Sequence, residues 1–157
     1  MNNKTLKITR AAAIAAIYIV LTMLSQMLGL AKGVIQFRLS ESLSFLPIKY
    51  KEAIPGIAIG CFLSNILIGC AFMDVVMGTV ATLVGAIGTS VIGKKNAFLG
   101  LMCPVVSNMI IIPFVLMYVY GVPDGYAFLA MTVGIGEFVT AGLMGWKLND
   151  VFKDVEL

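Results

Sequence analysis

Histidine is absent from the 157 residues, and only 12% of them carry a charge. The three cysteines, Cys61, Cys70 and Cys103, stand inside or at the edges of apolar runs without CxxC spacing. The usual ligands of zinc and haem sites are therefore lacking, a disulfide framework is not expected, and each cysteine reads as a small packing residue. No GxxxxGK[ST] stretch occurs, so there is no P-loop to hold nucleotide phosphates. Polar segments long enough to form a soluble catalytic domain are missing as well. These absences argue against an enzyme and call for no cofactor and no metal. The net charge of +3 is not a nucleic-acid signal, because the basic residues sit at the ends of apolar runs, where they mark topology.

What the chain does have is apolar sequence, with 60% hydrophobic residues and a mean hydropathy of +1.00. That is too apolar for a water-soluble domain of this size. Five nearly uncharged runs, 11–30, 53–73, 75–93, 96–123 and 125–146 (the last broken by Glu137), can each cross a bilayer as a helix. The first is too long for the apolar region of a secretory signal and reads as a retained helix. The segment 38–50 is ambiguous: Leu39, Leu43 and Leu46 follow helical spacing, while Ser40, Glu41 and Ser44 are polar.

Charge asymmetry addresses that ambiguity. With six spans and both termini cytoplasmic, Lys4, Lys7, Arg10, Lys49, Lys51, Lys94, Lys95, Lys147 and Lys153 lie inside and only Lys32 and Arg38 outside, nine against two. Five spans give eight against three at best. Six spans also put the turns at Asp74 and 121–124 outside, with Tyr118, Tyr120 and Tyr126 as an outer aromatic belt and Trp146 at the inner face. The expectation is an all-α integral membrane protein of six transmembrane helices, the second short, forming one membrane-embedded domain over residues 1–157. Internal repeats are not evident. Pro55, Pro104 and Pro113, within or near the starts of spans, either bend helices toward a cavity or are ordinary membrane-helix prolines.

A charge at bilayer depth costs roughly 2.5–3.5 kcal/mol on insertion scales, so it usually faces a cavity, a partner or a substrate path. Arg38 and Glu41 are expected at the outer mouth of the short helix, Asp74 at the outer end of the fourth helix and Glu137 near the middle of the sixth. Gln36, Asn65 and Asn108 accompany them, and all could converge on one outward-opening pocket. The alternatives are structural. Asp74 caps a helix, Arg38 pairs with Glu41 at i,i+3, and the asparagines bond neighbouring helices. Glu137 has no basic residue at its depth, which favours a functional role. On the first helix, Ala11, Ala12, Ala15 and Ala16 make a strip of small residues suited to close helix approach, either within the protein or with a partner.

The string Gly33-Val-Ile-Gln-Phe-Arg-Leu-Ser-Glu-Ser-Leu-Ser-Phe-Leu-Pro47, with 55–65, 74–82 and Gly136-Glu137, resembles the QueT family. Ser42 stands where the family is expected to favour alanine. The resemblance implies an S component, the substrate-binding membrane subunit of an ATP-driven energy-coupling factor importer in the bacterial cell membrane. Its implied partners are a transmembrane scaffold (T) subunit, met through the alanine strip, and two cytoplasmic ATPases. The implied ligands are queuosine precursors, 7-aminomethyl-7-deazaguanine or queuine. A carboxylate can accept the donor edge of such a ring and another can attract a cationic aminomethyl group, with Phe37 and Tyr118 as candidates for stacking. Rival readings are an S component for another vitamin-like solute, a stand-alone ion-coupled carrier with Glu137 as coupling carboxylate, and an intramembrane enzyme using Glu137 and Asp74, which would lack a nucleophile with a positioned base.

Overall fold

The computed structural model describes residues 3–31 and 35–154; Lys32, and Gly33 at the start of the motif, lie outside the described residues. Helix α1 spans Asn3–Met27. A 3-10 helix, Leu39–Phe45, runs into the single turn α2, Leu46–Lys49. Then follow α3 (Ala53–Leu67), α4 (Phe72–Ile92), α5 (Ala97–Tyr118) and α6 (Tyr126–Glu137). The last continues through a π-helical stretch, Phe138–Met144, into α7 (Gly145–Val151). Among the described residues there is no strand.

Four of these helices, 3–27, 72–92, 97–118 and the continuous 126–151, are long and apolar enough to cross a membrane. The chain is an all-α, multi-pass membrane protein. The third segment is shorter than the apolar run predicted: α3 has 15 residues, about 22 Å against a hydrocarbon core of about 30 Å. Its run ends early because the chain turns at Gly69, whose φ is 78°. The second segment, from Leu39 to Lys49, is shorter still.

Burial is inverted relative to a soluble bundle. Ile17, Val20, Leu24 and Met27 of α1 are exposed, whereas Thr22 and Ser25 of the same helix are buried. Lipid accepts the apolar face, and the interior takes small or hydrogen-bonding side chains that let helices approach. Helices α1 and α3 show this directly. A Cβ at Gly56 would stand 2.8 Å from the Ala11 carbonyl oxygen, and one at Gly60 2.7 Å from Tyr18 Cβ. The alanine strip is therefore divided: Ala15 is buried and Ala11 half-buried against α3, while Ala12 and Ala16 face outward. In α5, Pro104 cannot donate to the Gly100 carbonyl, and Thr89 Oγ1 of α4 donates to that oxygen at 2.9 Å instead.

The starts of α1, α3 and α5 and the ends of α4 and α7 share one end of the bundle, with nine lysines and arginines near it, which marks it as cytoplasmic. Arg10 pairs with Glu52 at 3.2 Å and lies 5.1 Å from the Tyr50 ring centroid. Lys49 donates to the Phe152 and Lys153 carbonyls. Inside this half, Ile14, Tyr18, Phe45, Leu46, Ile57 and Leu101 form an apolar core, and Phe45 stacks on Phe152 with centroids 6.0 Å apart. The cytoplasmic half is plugged.

Candidate ligand cavity

The outer half contains a cavity of about 330 Å3. Its walls are two helix faces and one extended segment. From α5 come Asn108, Ile112 and Leu116, one row at i,i+4; from α6 come Phe128, Leu129, Thr132, Val133 and Glu137, also one face. Val122 and Asp124, in the α5–α6 connection, stand at the outer end. Glu137 closes the other end as the last residue of α6, about 16 Å along that helix from Tyr126 at 1.5 Å per residue.

Gln36 and Arg38 complete the lining. They reach it because the chain before the 3-10 helix is extended and lies on α6 at Gly136, where a Cβ would collide with the Gln36 carbonyl oxygen. Glycine at 136 thus admits the segment to the level of Glu137. Directly after Glu137 the helix widens into the π turn, a feature common at functional sites, and Thr140 Oγ1 donates to the Gly136 carbonyl at 2.9 Å.

Glu137 is 8% exposed, and its Oε2 is buried without a hydrogen-bond partner. The expectation that no basic residue lies at its depth is overturned, because the extended segment brings Arg38 into the same cavity; the charged groups that act on Glu137 are Glu41 and Arg38. Arg38 makes no ion pair among the described residues, and its field reaches Asp74 and Glu41 as well. Asn108 Nδ2 donates to the Pro104 carbonyl at 3.0 Å, leaving its amide oxygen for the cavity. The assembly is an acceptor-rich floor with one guanidinium beside it, apolar walls, an aromatic ring at Phe128 and a carboxylate at the mouth.

Of the residues expected to meet at a pocket, Glu137, Arg38, Gln36 and Asn108 do so, and the others do not. Glu41 is not at the outer mouth: it is buried beside α1, where Tyr18 Oη donates to its Oε1, and it forms no i,i+3 pair with Arg38. Asn65 is buried with Nδ2 3.6 Å from Cys61 Sγ. Asp74 is the third residue of α4, not its cap, and accepts from Tyr120 Oη at 2.7 Å. Phe37 is half-buried away from the lining. Tyr118 is 78% exposed and stacks on Phe114, centroids 6.4 Å apart, on the outside of the bundle. Reading the sequence overlooked Phe128, Thr132 and Asp124, and with them the apolar lining from Ile112, Leu116, Val122, Leu129 and Val133. The i,i+4 rows leading from Asn108 (Ile112, Leu116) and back from Glu137 (Val133, Leu129) carry the signal that would have found four of them, with Phe128 and Thr132 on the neighbouring row of α6.

A curated relative, the queuosine precursor transporter QueT of Lactococcus lactis subsp. cremoris, is 40% identical over 82 residues, covering 52% of this chain and 48% of that protein. The match spans about half the length of that relative. No solved structure matches the chain. The family described as QueT transporter matches residues 8–154, a stretch that takes in α1 from its second turn on, the extended segment over Gly136 and the whole cavity. The chain belongs to the QueT transporter family.

Proposed function

We propose that this chain is a substrate-binding membrane subunit, an S component of an ATP-driven energy-coupling factor importer, that captures a 7-deazaguanine queuosine precursor from outside. The observation that carries the reading is Glu137: a buried carboxylate with an unpartnered oxygen at the floor of a cavity whose cytoplasmic side is sealed. Burying a carboxylate without donors is costly, and a ligand bringing two adjacent N–H groups repays that cost. The amino-pyrimidinone edge of a deazaguanine has that donor pair, with a carbonyl next to it that the Arg38 guanidinium can reach. Phe128 offers a face for the flat ring.

The name of the curated relative supports the substrate class. The chain is read as a single membrane-embedded domain in the bacterial cell membrane that performs no catalysis, leaving ATP hydrolysis to two cytoplasmic ATPases. Ala12 and Ala16, on the outward face of α1, are the part of the strip available to a scaffold subunit. Two measurements test this. Calorimetry with 7-aminomethyl-7-deazaguanine on the purified protein should show saturable binding that Glu137→Gln weakens by at least about 30-fold, the 2 kcal/mol lower bound for breaking a buried charged pair. Coexpression with scaffold and ATPase subunits should be required for uptake. Binding of no deazaguanine, or uptake by this chain alone, would overturn the substrate or the S-component assignment respectively.

A further inference from the structure

Residues 119–125 connect α5 to α6 and carry Val122 and Asp124 into the cavity wall. Gly121, with φ 63°, reverses the chain there, and Val122 N donates to the Leu116 carbonyl at 3.0 Å. Tyr120, just before the glycine, points the other way, to α4. Its Oη donates to Asp74 Oδ2 at 2.7 Å and accepts from Ala71 N at 3.2 Å, so one hydroxyl spans the first turn of α4. Burial, together with Asp74, raises the phenol well above its ordinary pKa and keeps it a donor.

Asp74 is 6% exposed, yet neither it nor any other residue of α4 lines the cavity. We propose that Tyr120 and Asp74 form a latch that ties the outer wall of the cavity to the α3–α4 half of the bundle, so that Asp74 is a positioning residue that sets how long a ligand is held. The inference rests on the cavity being the ligand site. Without the latch, the connection is attached to the ends of α5 and α6 alone, and the wall bearing Val122 and Asp124 can swing outward.

The conservative test is Tyr120→Phe, which keeps the ring and removes only the hydroxyl. With 7-aminomethyl-7-deazaguanine as probe, dissociation should quicken about tenfold, equivalent to about 1.4 kcal/mol, while association changes by less than about twofold. Asp74→Ala leaves the bond from Ala71 N in place and should quicken dissociation by no more than Tyr120→Phe does, and the double variant should be no worse than Tyr120→Phe alone, as expected of two residues in one interaction. Asp74→Asn keeps an acceptor for the phenol and should stay within about threefold of the parent. In ligand-free protein, hydrogen exchange at 119–125 should accelerate in Tyr120→Phe, with α1 unchanged. Unchanged dissociation in Tyr120→Phe, unchanged exchange, or an Asp74→Asn variant as impaired as Asp74→Ala would overturn the latch, the last because it would mean that Asp74 acts through its charge. If the parent binds no deazaguanine, the substrate reading falls, and the exchange experiment still decides whether the latch exists.

Discussion

A carboxylate held at the depth of Glu137 with an oxygen lacking a donor is a demand that a ligand can meet. Glu41 also has a buried Oε2 without a partner, but Tyr18 Oη donates to its other oxygen and it does not line the cavity. The two acids therefore respond to different substitutions. Tyr18→Phe leaves Glu41 buried without that donor and should lower stability by about 1–3 kcal/mol, read as a lower thermal midpoint in detergent. Glu137→Gln should leave the ligand-free midpoint nearly unchanged and abolish most of the ligand-induced rise, since the stabilisation by a ligand shrinks as its affinity falls. A loss of stability in Glu137→Gln equal to that in Tyr18→Phe would place Glu137 among packing residues.

Helix α1 presents two kinds of small residue to two neighbours. Ala11 and Ala15 face the Gly56-x-x-x-Gly60 surface of α3, and Ala12 and Ala16 face away from the bundle. Gly60→Leu should separate α1 from α3 and cost about 1–3 kcal/mol through overpacking, with loss of folded protein in a detergent melt. Ala12→Trp adds its ring to the outward face, so the isolated subunit should keep its melting midpoint and its ligand affinity while copurification with a scaffold subunit is lost. Retained copurification and uptake in both Ala12→Trp and Ala16→Trp would show that this face meets lipid. The α4–α5 hairpin has its own internal dependence: Thr89→Val strands the Gly100 carbonyl freed by Pro104 and should cost about 1–3 kcal/mol.

For the whole molecule, the described residues place an apolar core in one half and the cavity in the other. Basic residues gather at the plugged end, and Asp124 lies exposed at the other. Cysteine placed at position 124, with the native cysteines replaced, should react with a membrane-impermeant maleimide in right-side-out vesicles and be protected in inverted ones. Bound ligand should slow that reaction, because Asp124 borders the cavity. Labelling confined to inverted vesicles would reverse the orientation and, with it, the direction of capture.

Hydropathy and charge are properties of each residue that add along the chain, and they were enough to establish the membrane class and the number of helical segments, and to single out Glu137 as a charge at bilayer depth. The sharing of a cavity depends on how far each helix is rotated about its axis, and that is decided by contacts between residues distant in sequence. Gly136 admits the extended segment, so Gln36 and Arg38 reach the floor of the site; had a Cβ stood there, they could not. Gly56 and Gly60 turn the Ala11 and Ala15 side of α1 inward, and with it Tyr18, which occupies Glu41 and withdraws that acid from the cavity. Tyr120 claims Asp74 from 46 residues away. A polar residue inside a membrane must find a partner, and the sequence states that need for Asp74, Glu41 and Glu137 alike. Only the packing of the helices decided that Asp74 meets Tyr120, that one oxygen of Glu41 meets Tyr18, and that Glu137 alone of the three lines the cavity.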